Sequence, residues 1–473
     1  MTVLAPQLQT MRHLQTFEMI GTVASVRGLS LLVDDLPLPV GALVRIVAHQ
    51  NRTPRRRTQL NDDEARWGEI IGFDGHRSIV MLLGNSGGIS VGMRVLGVQS
   101  AQTVQVGHAL LGRVLDGLAR PMDGLPVPSD TLTRPLHGRP PAAMERRAID
   151  APLPVGVRAI DGFLTIGRGQ RVGIFSGPGV GKSTLLGTIA RNTTADVNVI
   201  ALIGERGREV RDFIDRALGP EGLARSVVIV ATGDESPLVR VRAALVACTV
   251  AEYFRDAGAD VMLMMDSITR FAQAQRQIGL AVGEQPATRG YTPSVFAMLP
   301  ALLERAGAVE SGGSVTGLYA VLVEGDDLNE PVSDAARGIL DGHIALSRKL
   351  ATRGHYPAID VLQSISRVAD DVCDPHQITA RRHLIRLLAA YEEAEELINI
   401  GAYARGSNPL CDAAIAMRDQ LTAFLQQETG EASAFPQTCR RLLELAGEAE
   451  RAGAGAGAGA AARGRRPGSG VEG

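Results

Sequence analysis

The sequence contains few aromatic residues and almost no net charge. Aromatic residues make up 4% of its 473 residues, tryptophan occurs once, and the formal net charge is −2. A chain so close to neutrality lacks the broad basic field that attracts nucleic acid or anionic lipid. Basic and aromatic residues also do not interleave as they do on surfaces that stack single-stranded nucleic acid. We therefore expect no nucleic acid partner.

One short segment is locally basic, with four arginines in the run NRTPRRRTQ. The composition favours a solvated loop between strands over a binding patch, but it does not exclude the patch. The four arginines are Arg52, Arg55, Arg56 and Arg57.

Cysteine and long apolar runs are also scarce. The chain has 4 cysteines, at positions far apart and never in a CxxC pair, which predicts a reducing compartment without disulfides or a zinc site. No run of about 18 apolar residues suggests a membrane span, and the first residues lack the basic and apolar regions of a signal peptide. We expect a cytoplasmic protein.

The pattern of apolar and turn-forming residues changes along the chain and predicts three folded regions. Residues 19–105 hold short β-rich runs separated by Gly, Asp and Pro, which is typical of a small β-barrel. In residues 106–366, continuous apolar runs such as VNVIALI and DVMLMMD alternate with helical stretches. This pattern predicts an α/β domain built on a doubly wound parallel sheet. Residues 367–451 have apolar residues at helical spacing and are expected to form a helical domain.

The two ends of the chain differ from these regions. Residues 1–18 carry apolar residues at spacings of three and four, which fits either a short partner-binding helix or a frayed terminus. Residues 452–473 are rich in Ala and Gly and are expected to be disordered, since they have little apolar surface to bury.

A glycine-rich turn, SGPGVGKST, follows the apolar strand RVGIF and precedes a helix. In such a turn, successive backbone N–H groups point at phosphate oxygens, and the helix N-terminus adds a favourable dipole. Lys182 can reach the β- and γ-phosphates of a nucleotide, and the Ser183 hydroxyl can ligate Mg²⁺. Ser176 stands where the usual motif has its first glycine. The predicted nucleotide-binding residues are Gly177, Pro178, Gly179, Val180, Gly181, Lys182, Ser183 and Thr184.

Two carboxylates follow other apolar strands. Asp266 ends the run DVMLMMD, where a carboxylate can hold Mg²⁺ through water. Glu205 follows the strand that ends at Ile203, and it can polarise a water for attack on phosphate, while Arg206 beside it can stabilise the γ-phosphate charge. Without the other motifs, a surface turn with a salt bridge would be the favoured interpretation of this Glu-Arg pair.

Long stretches of the chain resemble the catalytic subunits of the rotary ATP synthase superfamily, and above all the flagellum-specific and type III secretion ATPases. The resemblance covers residues 20–450, and three of the stretches that carry it are MDSITRFAQAQRQIGLAVGEQPATRGY, VLVEGDDLNEPVSDAARGILDGHIALSRKL and INIGAYARGSNP. It implies an N-terminal barrel, a RecA-like P-loop domain with the Walker A motif, and a C-terminal helical domain. It also implies a ring, usually a hexamer, with active sites between subunits.

The resemblance also implies roles for individual residues. Glu205 resembles the family's catalytic base, and Arg206 its phosphate-sensing neighbour. Arg367, in SISRV, resembles an arginine finger that reaches the nucleotide of a neighbouring subunit, although a strand-end arginine could instead be paired locally. Tyr356, in HYPAID, resembles the aromatic residue that stacks on adenine, although ordinary core packing is the alternative.

The function implied by the resemblance is a Mg²⁺-dependent ATPase that energises flagellar protein export. Its implied partners are stalk and stator proteins and chaperone-bound export substrates, at the inner-membrane face of the export gate. One alternative is the ATPase of an injectisome. Another is a catalytic subunit of a proton-coupled rotary synthase, against which the run LINIGAYARGSNP argues. A third is a non-catalytic nucleotide-binding ring subunit, against which Glu205 argues.

Overall fold

The computed structural model of the chain describes residues 19–47, 66–99, 102–323, 325 and 330–463, and the side chains as far as residue 453. The predicted partner-binding segment, residues 1–18, and the segment with four arginines lie outside the described residues. None of the helices in this described part combines the length and apolar character that a bilayer crossing requires.

The first folded region is a closed six-stranded antiparallel barrel, as the alternating β-rich runs predict. Its strands follow the order β1-β2-β5-β4-β3-β6, and β1 closes the barrel by pairing with β6. Buried and partly exposed residues alternate along β3, so that Val44 and Ile46 point into the barrel core. The strands are β1 (Ile20–Arg27), β2 (Ser30–Asp34), β3 (Leu43–Val47), β4 (Arg66–Asp74), β5 (Arg77–Leu82) and β6 (Arg94–Gln99).

The remaining strands build the central sheet and a small two-stranded sheet. They are β7 (Thr103–Val106), β8 (Val114–Asp116), β9 (Leu132–Pro135), β10 (Arg171–Ser176), β11 (Val197–Ile203), β12 (Ser226–Ala231), β13 (Asp260–Asp266), β14 (Gly307–Ala308), β15 (Ser314–Leu322), β16 (Gly342–Leu346) and β17 (Ile359–Ser366). The central sheet has nine strands, ordered β17-β16-β10-β15-β13-β11-β12-β8, with β14 paired to β15. Its strands are parallel except for β14 and the edge strand β17. The predicted parallel sheet is confirmed, because β11 and most of β13 are buried on both faces.

Helices cover both faces of this sheet and form the C-terminal region. They are α1 (Arg158–Phe163), α2 (Lys182–Asn192), α3 (Gly207–Asp212), α4 (Gly219–Ala224), α5 (Pro237–Asp256), α6 (Ile268–Ala281), α7 (Pro293–Leu303), α8 (Pro331–Ile339), α9 (Arg348–Thr352), α10 (Ala369–Val372), α11 (Pro375–Asn399), α12 (Pro409–Leu425) and α13 (Phe435–Arg463). Helix α5 begins where the sequence predicts, because the Ser236 hydroxyl accepts a hydrogen bond from the Val239 N–H and Pro237 fills the first position. Asp374 and Asn408 cap α11 and α12 in the same way.

Each face of the sheet has its own hydrophobic core. One core packs α5, α6 and α7 against the sheet, with Phe254 and Phe271 fully buried. The other core joins Leu186 and Ile189 of α2 to Leu384 of α11 and Leu442 of α13. The C-terminal helices therefore share a core with the helix that follows the glycine-rich turn.

Two predicted boundaries differ from the observed elements. The boundary between residues 105 and 106 falls inside β7, which pairs with β9 rather than with the barrel. Helix α13 continues to Arg463, so residues 452–463 are helical where the sequence analysis expected disorder. Alanine, the strongest helix former, fills 7 of the 12 positions in this stretch and prolongs a helix that is already packed. The division of the chain into domains at residues 105, 366 and 451 stays a prediction.

A buried ion pair joins α5 to the end of α7. The Arg305 guanidinium donates hydrogen bonds of 2.6 and 2.7 Å to the two carboxylate oxygens of Glu252, and others to the Thr249 hydroxyl and the Leu136 carbonyl. The two charged side chains are only 3% and 10% exposed. Their partners satisfy the buried charges, so the loss of one partner is expected to be costly.

We expect Arg305→Ala to lower the free energy of unfolding by about 3–5 kcal/mol, because Glu252 would keep a buried charge without a partner. Arg211→Ala is the matched control, since Arg211 is 79% exposed and, among the described residues, forms an ion pair with Asp215 alone; its cost should stay below about 1 kcal/mol. Urea unfolding of both variants measures the difference. Equal midpoints for the two variants would refute this role of the buried pair.

Candidate active site

The glycine-rich turn lies between the buried strand β10 and helix α2. Gly179 and Gly181 adopt left-handed backbone conformations, with φ of 78° and 96°. A side chain at either position would be strained, so the turn requires glycine there. Gly181 is the N-cap of α2, and the first helical hydrogen bond runs from the Leu185 N–H to its carbonyl. The N–H groups of residues 182–184 therefore have no helical partner and can bind an anion.

Three charged residues that are distant in sequence meet beside this turn. The Lys182 ammonium contacts Asp266 Oδ1 and lies 3.9 Å from Glu205 Oε1. The side chains of Lys182 and Asp266 are 10% and 4% exposed. They converge because β10, β13 and β11 are parallel strands of one sheet, so the residues at their carboxyl ends lie at the same edge. The peptide bond between Asp266 and Ser267 is cis.

The Glu205 carboxyl group has an unusual protonation equilibrium. Burial and then the negative charge of Asp266 raise the pKa of Glu205 from 4.5 to about 7, and the nearby Lys182 ammonium opposes this rise. A hydrogen bond with Glu209 raises the pKa further. Glu205 therefore changes its protonation state near neutral pH, as a group that exchanges a proton during a reaction must.

Glu209 is a site residue that the sequence analysis missed. Burial tends to raise the pKa of Glu209, but its hydrogen bonds with Glu205 and with the backbone and side chain of Arg206 hold the pKa below its ordinary value. A proton shared between the two carboxyl groups therefore resides on Glu205. The sequence signal was the run GERGRE, which places a second carboxylate four residues after Glu205, where the chain enters α3.

The structure does not bring Arg206 into this cluster. Its side chain is 84% exposed, and it donates a hydrogen bond to Glu209 Oε1 at 3.1 Å. An exposed ion pair of this kind is weak, so Arg206 can leave Glu209 for an anion that binds it more strongly.

A cavity of about 230 Å³ opens beside the phosphate-binding turn. Its lining includes Val180, Gly181 and Thr184 of the turn and of α2, and Tyr356. The Tyr356 ring is 47% exposed, and a β-carbon at Gly181 would lie 3.6 Å from it. Tyr356 is joined to Pro357 by a cis peptide bond. Residues 427–429 of the C-terminal region also line the cavity, which the sequence analysis did not foresee.

Arg367 lies near the amino-terminal end of β10, whereas the turn follows the carboxyl-terminal end of the same strand. Its N–H donates to the Asp341 carbonyl, and the Asp341 N–H donates to the carbonyl of Arg171, the first residue of β10. The glycine-rich turn follows Ser176, the last residue of the same six-residue strand, which spans roughly 20 Å. The exposed Arg367 is therefore remote from the phosphate-binding turn of its own chain.

The oxygen donors beside Lys182 suit a small, hard cation that is also bound by a ligand. The Ser183 hydroxyl is exposed on the first turn of α2, and the Asp266 carboxylate lies next to Lys182. Mg²⁺ commonly takes one or two protein oxygens together with phosphate oxygens and water. In the described part of the chain, no group of three or more His, Cys, Asp or Glu side chains is arranged to hold a metal alone. A magnesium ion here would depend on oxygens of the bound ligand.

Comparison with protein families gives two matches that together span most of the chain. Residues 156–366 match the nucleotide-binding domain of the ATP synthase alpha/beta family. Residues 373–444 match the C-terminal domain of the type III secretion ATPase EscN.

Individual proteins resemble the chain over most of its length. A protein of Treponema pallidum (strain Nichols) named flagellum-specific ATP synthase is 51% identical over 442 residues, which cover 92% of this chain and 95% of that protein. A type 3 secretion system ATPase of Xanthomonas euvesicatoria is 51% identical over 381 residues, which cover 80% and 86%. The assembled ATPase EscN of enteropathogenic E. coli has a TM-score of 0.82 at 42% identity, covering 90% of this chain and 100% of EscN. EscN has also been solved in complex with its central stalk EscO.

We expect Gly181→Ala to destabilise the fold by about 1–2 kcal/mol, because a β-carbon disfavours the left-handed conformation at this position. Gly207→Ala, at the first residue of α3, is the matched control: its backbone is not left-handed, and nothing lies within 4 Å of an added β-carbon. That control should be neutral or slightly stabilising. Thermal unfolding compares the two, and equal stability of both variants would contradict the requirement for glycine at position 181.

Proposed function

The chain belongs to the ATP synthase alpha/beta family, and we propose that it hydrolyses ATP to energise protein export through a flagellar type III secretion apparatus. The observation that carries the catalytic part is the convergence of Lys182, Asp266 and Glu205 at the end of the phosphate-binding turn. The match of residues 373–444 to the EscN C-terminal domain favours an export ATPase over a proton-coupled synthase subunit.

The share of this chain that each relative covers favours a flagellar role over an injectisome role. The flagellum-specific relative aligns with 92% of this chain, whereas the type 3 secretion relative of equal identity aligns with 80%. The injectisome ATPase remains the second candidate, because the identities are the same and the EscN structure matches 90% of the chain.

In the proposed reaction, backbone N–H groups of the turn bind the β- and γ-phosphates of ATP. The Lys182 ammonium, which faces two carboxylates in the structure, adds a point charge to the same oxygens. Ser183 and Asp266 would hold Mg²⁺, which when bound neutralises part of the phosphate charge. The proposed nucleotide-binding residues remain 177–184, with Tyr356, which lines the cavity beside the turn, against the base.

Glu205 supplies the general base in this proposal. Its ionised carboxylate accepts a proton from the attacking water as the water oxygen bonds to the γ-phosphorus and the bond to the bridging oxygen of ADP breaks. The pKa of about 7 suits this role, because the group can take up a proton and release it near neutral pH. Arg206 would leave its exposed contact with Glu209 to bind the γ-phosphate.

Arg367 would complete the site of a neighbouring protomer. It lies too far from its own phosphate-binding turn to act there, and it is exposed at the end of the edge strand β17. An arginine supplied by another subunit raises phosphoryl-transfer rates by roughly 10³–10⁵. We therefore propose a homo-oligomeric ring, hexameric by analogy with the family, in which turnover requires contact between protomers.

The remaining partners are proposed by analogy. The EscN–EscO complex supports a central stalk as a partner of the ring. Regulatory stator proteins and chaperone-bound export substrates would dock at the same apparatus, and these contacts would hold the ring at the inner-membrane face of the export gate.

We expect Glu205→Gln to retain nucleotide binding and to lose turnover by roughly 10²–10⁴, because the amide cannot accept a proton from water. In the unaltered protein, kcat/KM should rise as pH increases through about 7, because Glu205 is protonated and inactive as a base below its pKa and ionised above it. Phosphate release at pH 5.5–8.5 measures both effects. Glu221→Gln, an exposed residue of α4, is the control and should behave like the unaltered protein. Full turnover by Glu205→Gln, or no Mg²⁺-dependent turnover by the unaltered protein, would contradict the proposed function.

A further inference from the structure

The loop between α12 and α13 forms part of the cavity beside the phosphate-binding turn, although it belongs to the C-terminal helices. Gln427, Glu428 and Thr429 of this loop line the cavity together with Tyr356. Neither Glu205 nor Asp266 lines it. The loop therefore lines a cavity that does not include the two carboxylates beside Lys182.

Gln427 uses every hydrogen-bonding group of its side chain to fix this loop. Its Oε1 accepts from the Arg158 N–H at 2.8 Å, and its Nε2 donates to the carbonyls of Gly156 and Glu431, both at 2.8 Å. Its backbone N–H donates to the carbonyl of Tyr356 at 2.9 Å. One half-buried residue thus connects the loop, the start of α1 and the backbone of Tyr356.

Two arginines anchor the same loop from the nucleotide-binding region. Arg158 Nε donates to the Phe424 carbonyl at 2.9 Å, and its guanidinium also contacts Gln426 and Glu431. Arg191, near the end of α2, donates to the Thr429 carbonyl at 2.9 Å. The loop is therefore attached both to α1, through Arg158, and to α2, through Arg191.

We propose that Gln427 is a positioning residue for the nucleotide: with Arg158, it holds Tyr356 and the loop of residues 427–431 at the spacing that receives the base. This inference rests on the proposed function, since it assumes that the cavity beside the phosphate-binding turn binds the nucleotide. Pre-organised walls reduce the ordering cost of binding, so their loss weakens affinity. The reacting groups lie elsewhere, so the chemical step should be unaffected.

Gln427→Ala in the full chain should raise KM for ATP about fivefold to tenfold and leave kcat within about twofold, because it removes three hydrogen bonds that act on binding rather than on the transition state. The Kd of a fluorescent ATP analogue should rise by a similar factor. Gln426→Ala is the matched control, because the neighbouring glutamine lines a different cavity and its carbonyl, which contacts Arg158, is retained. This control should keep the KM and Kd of the unaltered protein.

A second pair of variants keeps the test independent of folding defects. Arg158→Ala should also raise KM, and the double variant should raise it by less than the product of the two single effects, since both residues act through one loop. Gln427→Glu keeps the acceptor for the Arg158 N–H but turns a carboxylate oxygen toward the carbonyls of Gly156 and Glu431, so its KM should rise at least as much as that of Gln427→Ala.

Three results would overturn the proposal. They are an unchanged KM and Kd in Gln427→Ala, equal effects of Gln427→Ala and of its control Gln426→Ala, or a fall in the kcat of Gln427→Ala at constant KM. These outcomes concern Gln427 alone when the unaltered protein binds and hydrolyses ATP. Failure of the unaltered protein to bind the fluorescent ATP analogue would instead overturn the proposed function, and this inference with it.

Discussion

One ammonium group balances two carboxylates at the carboxyl edge of a buried sheet, and the proposed chemistry depends on this balance. Lys182 contacts Asp266 and lies 3.9 Å from Glu205, in surroundings where each charge is costly without a partner. The raised pKa of Glu205 is the visible consequence, because one cation does not fully stabilise two buried negative charges. Gly181, in its left-handed conformation, places Lys182 at this point. The parallel strands β11 and β13 end beside it, so that Glu205 and Asp266 lie close to the ammonium group. A phosphate group and its magnesium ion would redistribute these charges and thereby link ligand binding to the protonation of the base.

The antiparallel edge strand β17 gives the protein its proposed dependence on neighbours. Tyr356 precedes this strand and lies beside the phosphate-binding turn, whereas Arg367 follows it at the far edge of the sheet. Because β17 is antiparallel to β16, it begins at the end of the sheet that carries the phosphate-binding turn and finishes at the opposite end. The two residues are therefore separated by the length of the strand. In the proposed ring, each β17 therefore serves two sites: its own through Tyr356 and that of a neighbour through Arg367. The loop held by Gln427 adds the C-terminal helices to the same site.

The parts of this arrangement that depend on local pattern could be predicted from the sequence. The apolar runs that end at Ile203 and Asp266 are strands buried on both faces, and the glycines at 179 and 181 specify a turn that other residues cannot adopt. Contacts without a local pattern escaped prediction: Gln427 meets Arg158 across 269 residues, and nothing in either neighbourhood signals the pair. The helical start of the Ala-Gly tail was also missed, because the expectation considered burial and neglected the helix propensity of alanine.

The most direct test of a site shared between protomers mixes two inactive variants. Lys182→Ala lacks the phosphate-binding charge but carries Arg367, and Arg367→Ala has an intact phosphate-binding turn but no finger. In rings assembled from equal amounts of both, roughly a quarter of the contacts between neighbours would join an intact turn to an intact arginine. We predict that each variant alone has little ATPase activity and that the mixture recovers measurable turnover. A mixture that remains as inactive as its parts, although both variants enter the same rings, would contradict the shared site, as would normal turnover by Arg367→Ala alone.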